Sequence, residues 1–323
     1  MKRRASIRIA SQNAGESLLD FLCDRFTYHG RNEWEELIRG GRVHLNGVAV
    51  SSIRPVRAGD RLEYLHPDLP EPPVEKKYSI LFEDQTLLVV DKPPNLPCHP
   101  AGRYFAHTLW NLLKSDHPMD TVFFVNRIDR ETSGIVLIAK SASAAIHCQQ
   151  QLIEGALQKK YLVMVEGDFS RGPVRAEGFL KMDENSLILK KQRFFTVNGS
   201  QKVPKKAKKC CTLFHSVQTC DGKSLISAEP VTGRMHQIRA TLCSLGYPVT
   251  GDKIYGVDET LFLKFINDRL TDADRLKLSL SRQALHAESL ELTHPESGKR
   301  VRFFSHLPED MACFFMNIDM NRV

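Results

Sequence analysis

The sequence predicts an α+β protein with a small N-terminal module and a larger second domain. Segments with strand and helix character alternate along the 323 residues without a regular βαβ repeat. A stretch rich in proline and acidic residues, HPDLPEPPVEKK, favours extended backbone between the two parts. We therefore predict four parts, which are a module over residues 1–66, a linker over 67–77, a main domain over 78–310 and a C-terminal tail over 311–323.

The composition is that of an ordinary globular protein. Hydrophobic residues make up 42% and charged residues 26%, which argues against disorder for most of the chain. No apolar run has the length of a membrane span, and the basic N-terminus lacks the apolar core of a secretory signal. The eight cysteines are scattered without C-x-x-C spacing. We expect a cytoplasmic, monomeric protein with reduced thiols, no membrane association and no metal site.

Two helices and a hairpin are predicted in the N-terminal module. Apolar residues recur at helical spacing in residues 17–26 and again in 31–41, where two glycines stop the pattern. The stretch RVHLNGVAV, residues 42–50, carries an Asn-Gly pair between alternating apolar residues, which is a strong hairpin signal. A turn at 58–60 precedes a further strand.

The main domain mixes strands and helices. In the predicted helix over 141–155, Ser141 is the N-cap and Gly155 the stop, and we expect Ile146, Leu152 and Ile153 to face inward. The other predicted elements are strands over 80–82, 87–90, 135–139, 159–167, 289–295 and 300–305, a helix over 108–115, and a strand, glycine turn and helix within 225–256.

Positive charge is concentrated in one segment of the main domain. The net charge is +7, from 45 basic and 38 acidic residues. Residues 190–209 carry eight Lys or Arg and no acidic residue. Such a run favours a polyanion, because bound phosphates release their counterions, but it is equally typical of a solvated loop. Both interpretations stay open from the charge alone.

Several motif classes are absent from the sequence. There is no nucleophile elbow, P-loop, dinucleotide fingerprint or H-E-x-x-H motif. His236 and His286 are isolated, and we expect them to make local hydrogen bonds and not to bind a metal.

Several blocks of the main domain occur in a familiar order. They read DKPPNLPCHP from residue 91, NRIDRETSG from 126, KKYLVMVEG from 159, TGRMHQIR from 232 and GDKIYG from 251. Together they resemble the RluA-type family of pseudouridine synthases over most of residues 78–305. The resemblance implies a catalytic domain with a mixed, largely antiparallel sheet and the isomerisation of uridine to pseudouridine in structured RNA. It implies no cofactor, since the reaction gains no atom and involves no redox change.

The N-terminal module resembles the S-four RNA-binding module over residues 16–65, which often accompanies this family. The resemblance implies that Arg31, Arg39 and Arg42 contact RNA phosphates, to which the planar guanidinium group is well matched. The alternative is that these arginines only make an exposed face soluble.

Three catalytic residues are implied by the family blocks. Asp129 matches the catalytic aspartate, which either attacks the anomeric carbon or helps to remove a proton from the sugar. Tyr161 matches a tyrosine that stacks on uracil with its hydroxyl near carbon 5. Arg239 matches the basic residue that pairs with the aspartate and lowers its pKa.

The predicted RNA contacts of the main domain lie close to these blocks. Arg127 is assigned to the RNA backbone or to the flipped base, and Arg234 to the RNA. Asn126 stands where the family usually has histidine, and it keeps hydrogen bonding without the charge. Within the basic run, Lys205 and Lys206 are the predicted RNA contacts.

The sequence thus favours an RNA pseudouridine synthase, with large-subunit ribosomal RNA slightly preferred over transfer RNA as substrate. The alternative is a catalytically inactive RNA-binding assembly factor on the same fold. Only the departure at Asn126 supports that alternative, while retention of Asp129, Tyr161 and Arg239 opposes it.

Overall fold

The computed structural model describes residues 4–26, 29–65, 71–117, 121–170, 172–188, 190–197 and 202–315. The chain divides into two compact units, one of residues 1–73 and 99–107 and the other of residues 74–98 and 108–323. Residues 66–70, where the predicted module meets the linker, lie outside the described ranges.

Segment 99–107 groups with the N-terminal unit, although the predicted boundaries assigned it to the main domain. One carboxylate contributes three of the contacts that hold this segment. Glu71 accepts hydrogen bonds from the backbone N–H groups of Phe105, Ala106 and His107 at 3.0, 2.9 and 2.8 Å. Three donors on one carboxylate tie the segment to the end of the N-terminal unit.

The N-terminal unit packs two helices on an antiparallel four-stranded sheet, and its predicted helices and hairpin are confirmed. Ser17 caps the first helix, and Asn46 and Gly47 have the positive φ angles (55° and 85°) of a tight hairpin turn. Trp34 is fully buried in the core. The elements are α1 (Leu18–Arg25), α2 (Arg31–Arg39), β1 (Arg4–Arg8), β2 (Val43–Leu45), β3 (Val48–Ala49) and β4 (Arg61–Leu65), in sheet order β1-β4-β2-β3.

The second unit is built on an 11-stranded mixed sheet, which confirms the α+β prediction. Its strands are β5 (Ser79–Glu83), β6 (Leu87–Lys92), β7 (Phe123–Phe124), β8 (Ser133–Ala139), β9 (Gln158–Glu166), β10 (Val174–Met182), β11 (Gln192–Phe195), β12 (Lys208–Cys220), β13 (Lys223–Pro230), β14 (Leu285–Thr293) and β15 (Arg300–Phe304). The order is β11-β10-β12-β13-β9-β14-β8-β6-β5, with β15 beside β14 and β7 beside β8. Strands β8 and β14 pair in parallel, and the other described pairs are antiparallel.

The helices of the second unit are α3 (Leu109–Asp116), α4 (Ala142–Glu154), α5 (Gln237–Ser244), α6 (Thr260–Ile266), α7 (Asp272–Leu278) and α8 (Glu309–Ala312). All predicted elements are present. In this unit, strands β7 and β10 to β12 and helices α6 to α8 were not predicted. No helix in the described ranges is both long enough and apolar enough to cross a membrane.

Helix α4 presents a different face to the sheet from the one predicted. Ile146 and Ile153 are 68% and 80% exposed, so the expectation that they face inward is wrong, whereas Leu152 is partly buried against the core. Gln151 is buried instead, and its amide both donates to and accepts from the backbone of Thr293 at 2.7 and 2.8 Å. The rest of the buried face is small, which allows close helix–sheet approach: Ala144, Ala145 and Cys148.

The predicted C-terminal tail begins too early. Met311 and Phe315 are 0% and 3% exposed and belong to the main core. Asp310, next to Met311, also forms a two-pronged ion pair with buried Arg282 at 2.6 and 2.7 Å. The remainder of that tail, residues 316–323, lies outside the described residues.

Candidate active site

Asp129 lies in the loop that connects β7 to β8. The loop backbone is fixed by two hydrogen bonds. The carbonyl of Arg130 accepts from the Leu96 N–H at 3.1 Å and from Lys92 Nζ at 3.2 Å. The Asp129 side chain remains 34% exposed. A firmly held backbone with a partly open carboxylate is the arrangement that a reacting group requires.

The entry into β8 is constrained by β14. Gly134 has a φ of +105°, and a Cβ atom there would lie 2.2 Å from the carbonyl oxygen of Ala287. The Oγ of Ser133 is 3.0 Å from Nδ1 of His286, whose other nitrogen lies 3.1 Å from the carbonyl oxygen of Ser305. His286 therefore makes the local hydrogen bonds that were predicted, and these contacts fix the strand that follows the Asp129 loop.

Arg239 reaches Asp129 from helix α5. It is 4% exposed, and its Nη1 donates to Asp129 Oδ2 at 2.7 Å. Its Nε and Nη2 donate to both oxygens of Asp252 at 2.6 and 2.8 Å. The guanidinium carbon lies 4.9 Å from the ring centre of Tyr255. A carboxylate and an aromatic face thus fix the guanidinium that contacts Asp129.

Asp129 is ionised in this environment. Burial by itself would raise the pKa of Asp129, but the charges of His236 and Arg239 and the hydrogen bonds from Gln283 and Arg239 outweigh it and lower this pKa to about 2. Burial lowers the pKa of His236 to about 4, so this imidazole is neutral at pH 7. At neutral pH, Arg239 is therefore the cation that stabilises the Asp129 carboxylate.

Tyr161 lies at the centre of the sheet, on β9. It pairs with Ala228 of β13 on one side and Ala287 of β14 on the other, and it is 9% exposed. Burial, followed by the negative charge of Asp129, raises the pKa of the phenol. The tyrosine is neutral at physiological pH and close enough to Asp129 to experience its charge.

His236 occupies the turn before α5 and adopts a positive φ of 55°. Its Nδ1 lies 2.9 Å from the hydroxyl of Tyr255. The predicted local hydrogen bonding is confirmed, and the contact supports the ring on which Arg239 rests. Among the described residues, no group of three or more His, Cys, Asp or Glu side chains could hold a metal.

Asn126 does not have the position that a contact with RNA requires. It is 9% exposed, its Nδ2 donates to the carbonyl of Ile135 at 3.2 Å, and its Oδ1 accepts from the N–H of Leu137 at 2.7 Å. Both polar ends of this amide are committed to the backbone of β8. The expectation that Asn126 binds RNA is corrected accordingly, because its side chain joins the loop to the strand.

The other predicted RNA contacts of the second unit are exposed. Solvent reaches the side chains of all four, which are Arg127, Lys205, Lys206 and Arg234. The Nε of Arg234 donates to the carbonyl of Lys209 at 3.2 Å, so the turn before α5 lies next to the start of β12. Much of the remaining basic run is ordered in β11 and β12, and the solvated-loop interpretation applies only to part of it.

In the N-terminal unit, the three predicted arginines differ. Arg31 forms an exposed ion pair with Asp20 at 2.8 Å. Arg39 is exposed at the end of α2, and Arg42 is partly exposed just after it.

Three residues of the site were not predicted. Asp252 lies in the quoted GDKIYG block, but nothing in its spacing shows that it fixes Arg239. Gln283 lies in no quoted block, and its Nε2 lies 3.2 Å from Asp129 Oδ2. Lys92 is fully buried, and burial lowers its pKa to about 8. In the sequence, a lysine beside two prolines gave no indication that it would be buried near Asp129.

Comparison with known proteins identifies the family. The RNA pseudouridylate synthase family model matches residues 86–244, which include Asp129, Tyr161 and Arg239. An uncharacterised RNA pseudouridine synthase of Bacillus subtilis is 30% identical over 317 residues, which cover 92% of this chain and 94% of that protein. The chain belongs to the RNA pseudouridine synthase family. The predicted RluA-type membership is confirmed.

Other pseudouridine synthases differ in the RNA that their names specify. The mitochondrial tRNA pseudouridine(32) synthase of Saccharomyces cerevisiae is 34% identical over 247 residues, which are 76% of this chain and 51% of that protein. The ribosomal large subunit pseudouridine synthase D of Nitrosomonas europaea is 32% identical over 243 residues, 74% of this chain and 64% of that one. The chain thus spans less than two thirds of either relative.

A solved pseudouridine synthase has the same fold. Human RNA pseudouridylate synthase domain containing 1 superposes with a TM-score of 0.55 at 23% identity, covering 73% of this chain and 86% of that one. At this identity the similarity supports the fold alone.

Proposed function

We propose that this protein is an active RNA pseudouridine synthase in which Asp129 is the catalytic carboxylate, Arg239 its ionic partner and Tyr161 the residue that stacks on the base. The observation that carries the proposal is the contact of Arg239 with Asp129 at 2.7 Å, with the arginine itself fixed by Asp252. A surface salt bridge would not need a buried arginine with a second carboxylate behind it.

The reaction requires an ionised carboxylate and a base that has left its stack. Extruding the uridine costs a few kcal/mol. The bond between uracil N1 and ribose C1′ breaks, a bond between C5 and C1′ forms, N1 gains a proton and C5 loses one to solvent. Asp129 either attacks C1′ or helps to remove a proton from the sugar. Because the pKa of Asp129 is about 2, the carboxylate is ready for either step at neutral pH.

Tyr161 suits stacking better than removal of the C5 proton from the base. Its raised pKa keeps the phenol neutral, and the sheet fixes its backbone from both sides. An aromatic face beside Asp129 would hold a flipped uracil with its C1′ atom toward the carboxylate.

RNA outside the reacting nucleotide would be bound by exposed cations. We assign Arg127, Arg234, Lys205 and Lys206 to phosphates around the site. In the N-terminal unit, which we propose to be an S-four-like RNA-binding module, Arg39 and Arg42 are the better candidates. The pair between Arg31 and Asp20 is exposed, so it would give way to a phosphate at little cost.

For the substrate we propose structured RNA, with large-subunit ribosomal RNA slightly favoured over transfer RNA. The S-four-like module supports this preference. The named relatives include one ribosomal and one transfer RNA enzyme, and therefore support RNA in general. We further propose a cytoplasmic monomer.

The alternative, an inactive assembly factor, rested on Asn126. The Asn126 amide is hydrogen-bonded to the backbone of β8, so this residue by itself gives little support to a loss of catalysis. No other observation favours the alternative.

The test is tritium release from RNA labelled at C5 of uracil. Ribosomal and transfer RNA are incubated separately with the wild type, with Asp129→Ala and with Asp129→Asn. We expect release by the wild type and a loss of at least about 10³-fold in both variants, while RNA affinity is kept. The loss follows from removal of the reacting group. Release by the variants, or none by the wild type from either pool with binding intact, would contradict the proposal.

A further inference from the structure

We infer that Gln283 is a positioning residue that, together with Arg239, holds oxygen Oδ2 of Asp129 and so leaves oxygen Oδ1 as the atom presented to the ribose. This inference rests on the proposed function for its catalytic meaning. The orientation of the Asp129 carboxylate, by contrast, can be tested in a protein that does not turn over RNA.

The two oxygens of Asp129 have different surroundings. Oδ2 accepts from Arg239 Nη1 at 2.7 Å and from Gln283 Nε2 at 3.2 Å. Within the described residues no hydrogen-bond donor contacts Oδ1. Both donors therefore converge on Oδ2, and together they fix the orientation of the carboxylate. An oxygen without hydrogen bonds is the more reactive one, because donors stabilise the charge on the oxygen that they contact.

Gln283 is itself firmly held against the Asp129 loop. Its side chain is 2% exposed, and its Nε2 also contacts Thr132 Oγ1 at 2.6 Å. Its backbone N–H donates to Glu131 Oε2 at 3.3 Å. Lys253 lies 2.9 Å from the same Glu131 oxygen. Gln283, just before β14, is thus joined to the loop through both its backbone and its side chain.

A neutral amide is suited to this position. A second cation on Oδ2 would lower the charge available at Oδ1, and a carboxylate would raise the pKa of Asp129 by repulsion. Gln283 adds orientation without a charge, and Arg239 supplies the charge. The other titratable or charged groups near the Asp129–Gln283 contact include Lys92, Cys98, Glu131, Tyr161, His236, Asp252, Lys253, Tyr255 and Arg282.

The first experiment follows the Asp129 carboxyl carbon by NMR in protein labelled at aspartate, with Asp129→Asn to identify the signal. We expect the wild-type signal not to titrate between pH 7 and pH 4. In Gln283→Met the pKa of Asp129 should rise, because one donor is lost. In Gln283→Glu the introduced carboxyl should take up the first proton, because Arg239 lowers the pKa of Asp129. The Asp129 signal should shift as that proton binds and the repulsion between the two carboxylates is relieved. Unchanged titration in both variants would overturn the inference, whether or not the protein isomerises uridine.

The second experiment measures single-turnover rates on the RNA that responds to the wild type. Gln283→Met should lower the rate at least about tenfold at all pH values with unchanged RNA affinity, since a misplaced reacting group is costly. Gln283→Glu should approach the wild-type rate in acid, where a protonated carboxyl can donate to Oδ2, and lose activity as the pH rises. A residue needed only for folding would not produce that pH profile.

Gln151 supplies the matched control. It is also a buried glutamine, 6% exposed, that joins two elements. It lies on α4, however, and it bonds to the backbone of Thr293 at the end of β14. Gln151→Met and Gln151→Glu should lower stability without changing the pH–rate profile or the Asp129 signal. If they reproduce the Gln283 effects, or if the Gln283 variants keep wild-type rates while folded, the positioning role is wrong. Absence of turnover by the wild type with the expected NMR shifts would refute the proposed function and retain the geometry.

Discussion

At the scale of single residues, the site depends on carboxylates with different tasks. Asp129 is partly exposed, and no donor of the described residues contacts its Oδ1, whereas Asp252 is fully buried. Asp252 accepts two bonds from Arg239 and two more from the backbone N–H groups of Ile254 and Tyr255. Full hydrogen bonding makes Asp252 a fixed counterion, and incomplete hydrogen bonding leaves Asp129 available for chemistry.

Asp252→Asn should therefore impair both stability and catalysis. The amide keeps the volume but removes the negative charge that balances the buried Arg239. Its NH2 group would also face the Arg239 Nε–H, which now donates to the Asp252 carboxylate. We expect a loss of about 3 kcal/mol in the free energy of unfolding, as for other broken buried pairs. Urea denaturation and the single-turnover rate measure the two effects.

Asp310→Asn is the matched control for that change. It removes a two-pronged partner from another buried arginine, Arg282, but Asp310 is 40% exposed. We expect a smaller loss of stability, because water can replace the lost contacts. An Asp252→Asn protein as stable and as active as the wild type would show that Arg239 needs no fixed counterion.

At the scale of elements, the parallel contact between β8 and β14 places the Asp129 loop beside Gln283. The pairing of Ser133 with His286 and of Gly134 with Ala287 brings together segments that are distant in sequence. The two backbones approach so closely at Gly134 that no side chain fits. The site thus depends on a short parallel pair inside a largely antiparallel sheet.

Gly134→Ala should strongly destabilise the second unit. The new Cβ would lie 2.2 Å from the Ala287 oxygen at a φ of +105°, so overpacking adds to backbone strain. We expect a loss of about 2–5 kcal/mol in the free energy of unfolding, measured by chemical denaturation.

Gly298→Ala separates the two causes. Gly298 also has a positive φ, of 66°, but a Cβ there meets nothing within 4 Å. Only the conformational penalty of about 1 kcal/mol applies. Equal effects of the two substitutions would show that the close approach of β8 to β14 is not what requires glycine at 134.

At the scale of the whole molecule, the lysines of the basic run differ in whether an acidic residue of the protein neutralises them. Lys191 is paired with Glu259 at 2.6 Å and Lys209 with Glu177 at 2.8 Å, so part of the basic run is neutralised within the protein. Lys205 and Lys206 are exposed, between β11 and β12. Among the described residues, these two lysines form no ion pair, so they are available to a polyanion.

The double substitution Lys205→Ala, Lys206→Ala should reduce the salt dependence of RNA binding. Each lost phosphate contact lowers the slope of log affinity against log salt by about 0.7–0.9. Filter binding between low and physiological salt measures the slope. Lys76→Ala, Lys77→Ala is the control, since it removes the same charge from another exposed adjacent pair. Equal slopes for both double variants would indicate a general charge effect, and an unchanged slope a solvated loop.

The sequence by itself determined what depends on near neighbours in the chain. The spacing of apolar residues, together with the turn and cap residues, was sufficient to predict the hairpin at Asn46-Gly47 and the limits of α4. Turns and caps are local interactions, so a short stretch of sequence specifies them. Ordered blocks were sufficient for the family and for Asp129, Tyr161 and Arg239 as candidates. The inward face of α4 was predicted wrongly, because hydrophobicity alone ignored the close packing that alanines permit and the two bonds of Gln151.

Only the tertiary structure decided which groups meet. Gln283 is 154 residues from Asp129, and Arg239 is 110 residues from it, so no local pattern could pair them. The family blocks named Arg239, but the role of Asp252 and the unequal donors on the two Asp129 oxygens follow from the packing of α5 and β14 around one loop. Asn126, expected to touch RNA, serves β8 because burial obliges its amide to find partners. Hydrogen-bond direction and burial are properties of the assembled chain, and at this site they determine which residue holds and which one reacts.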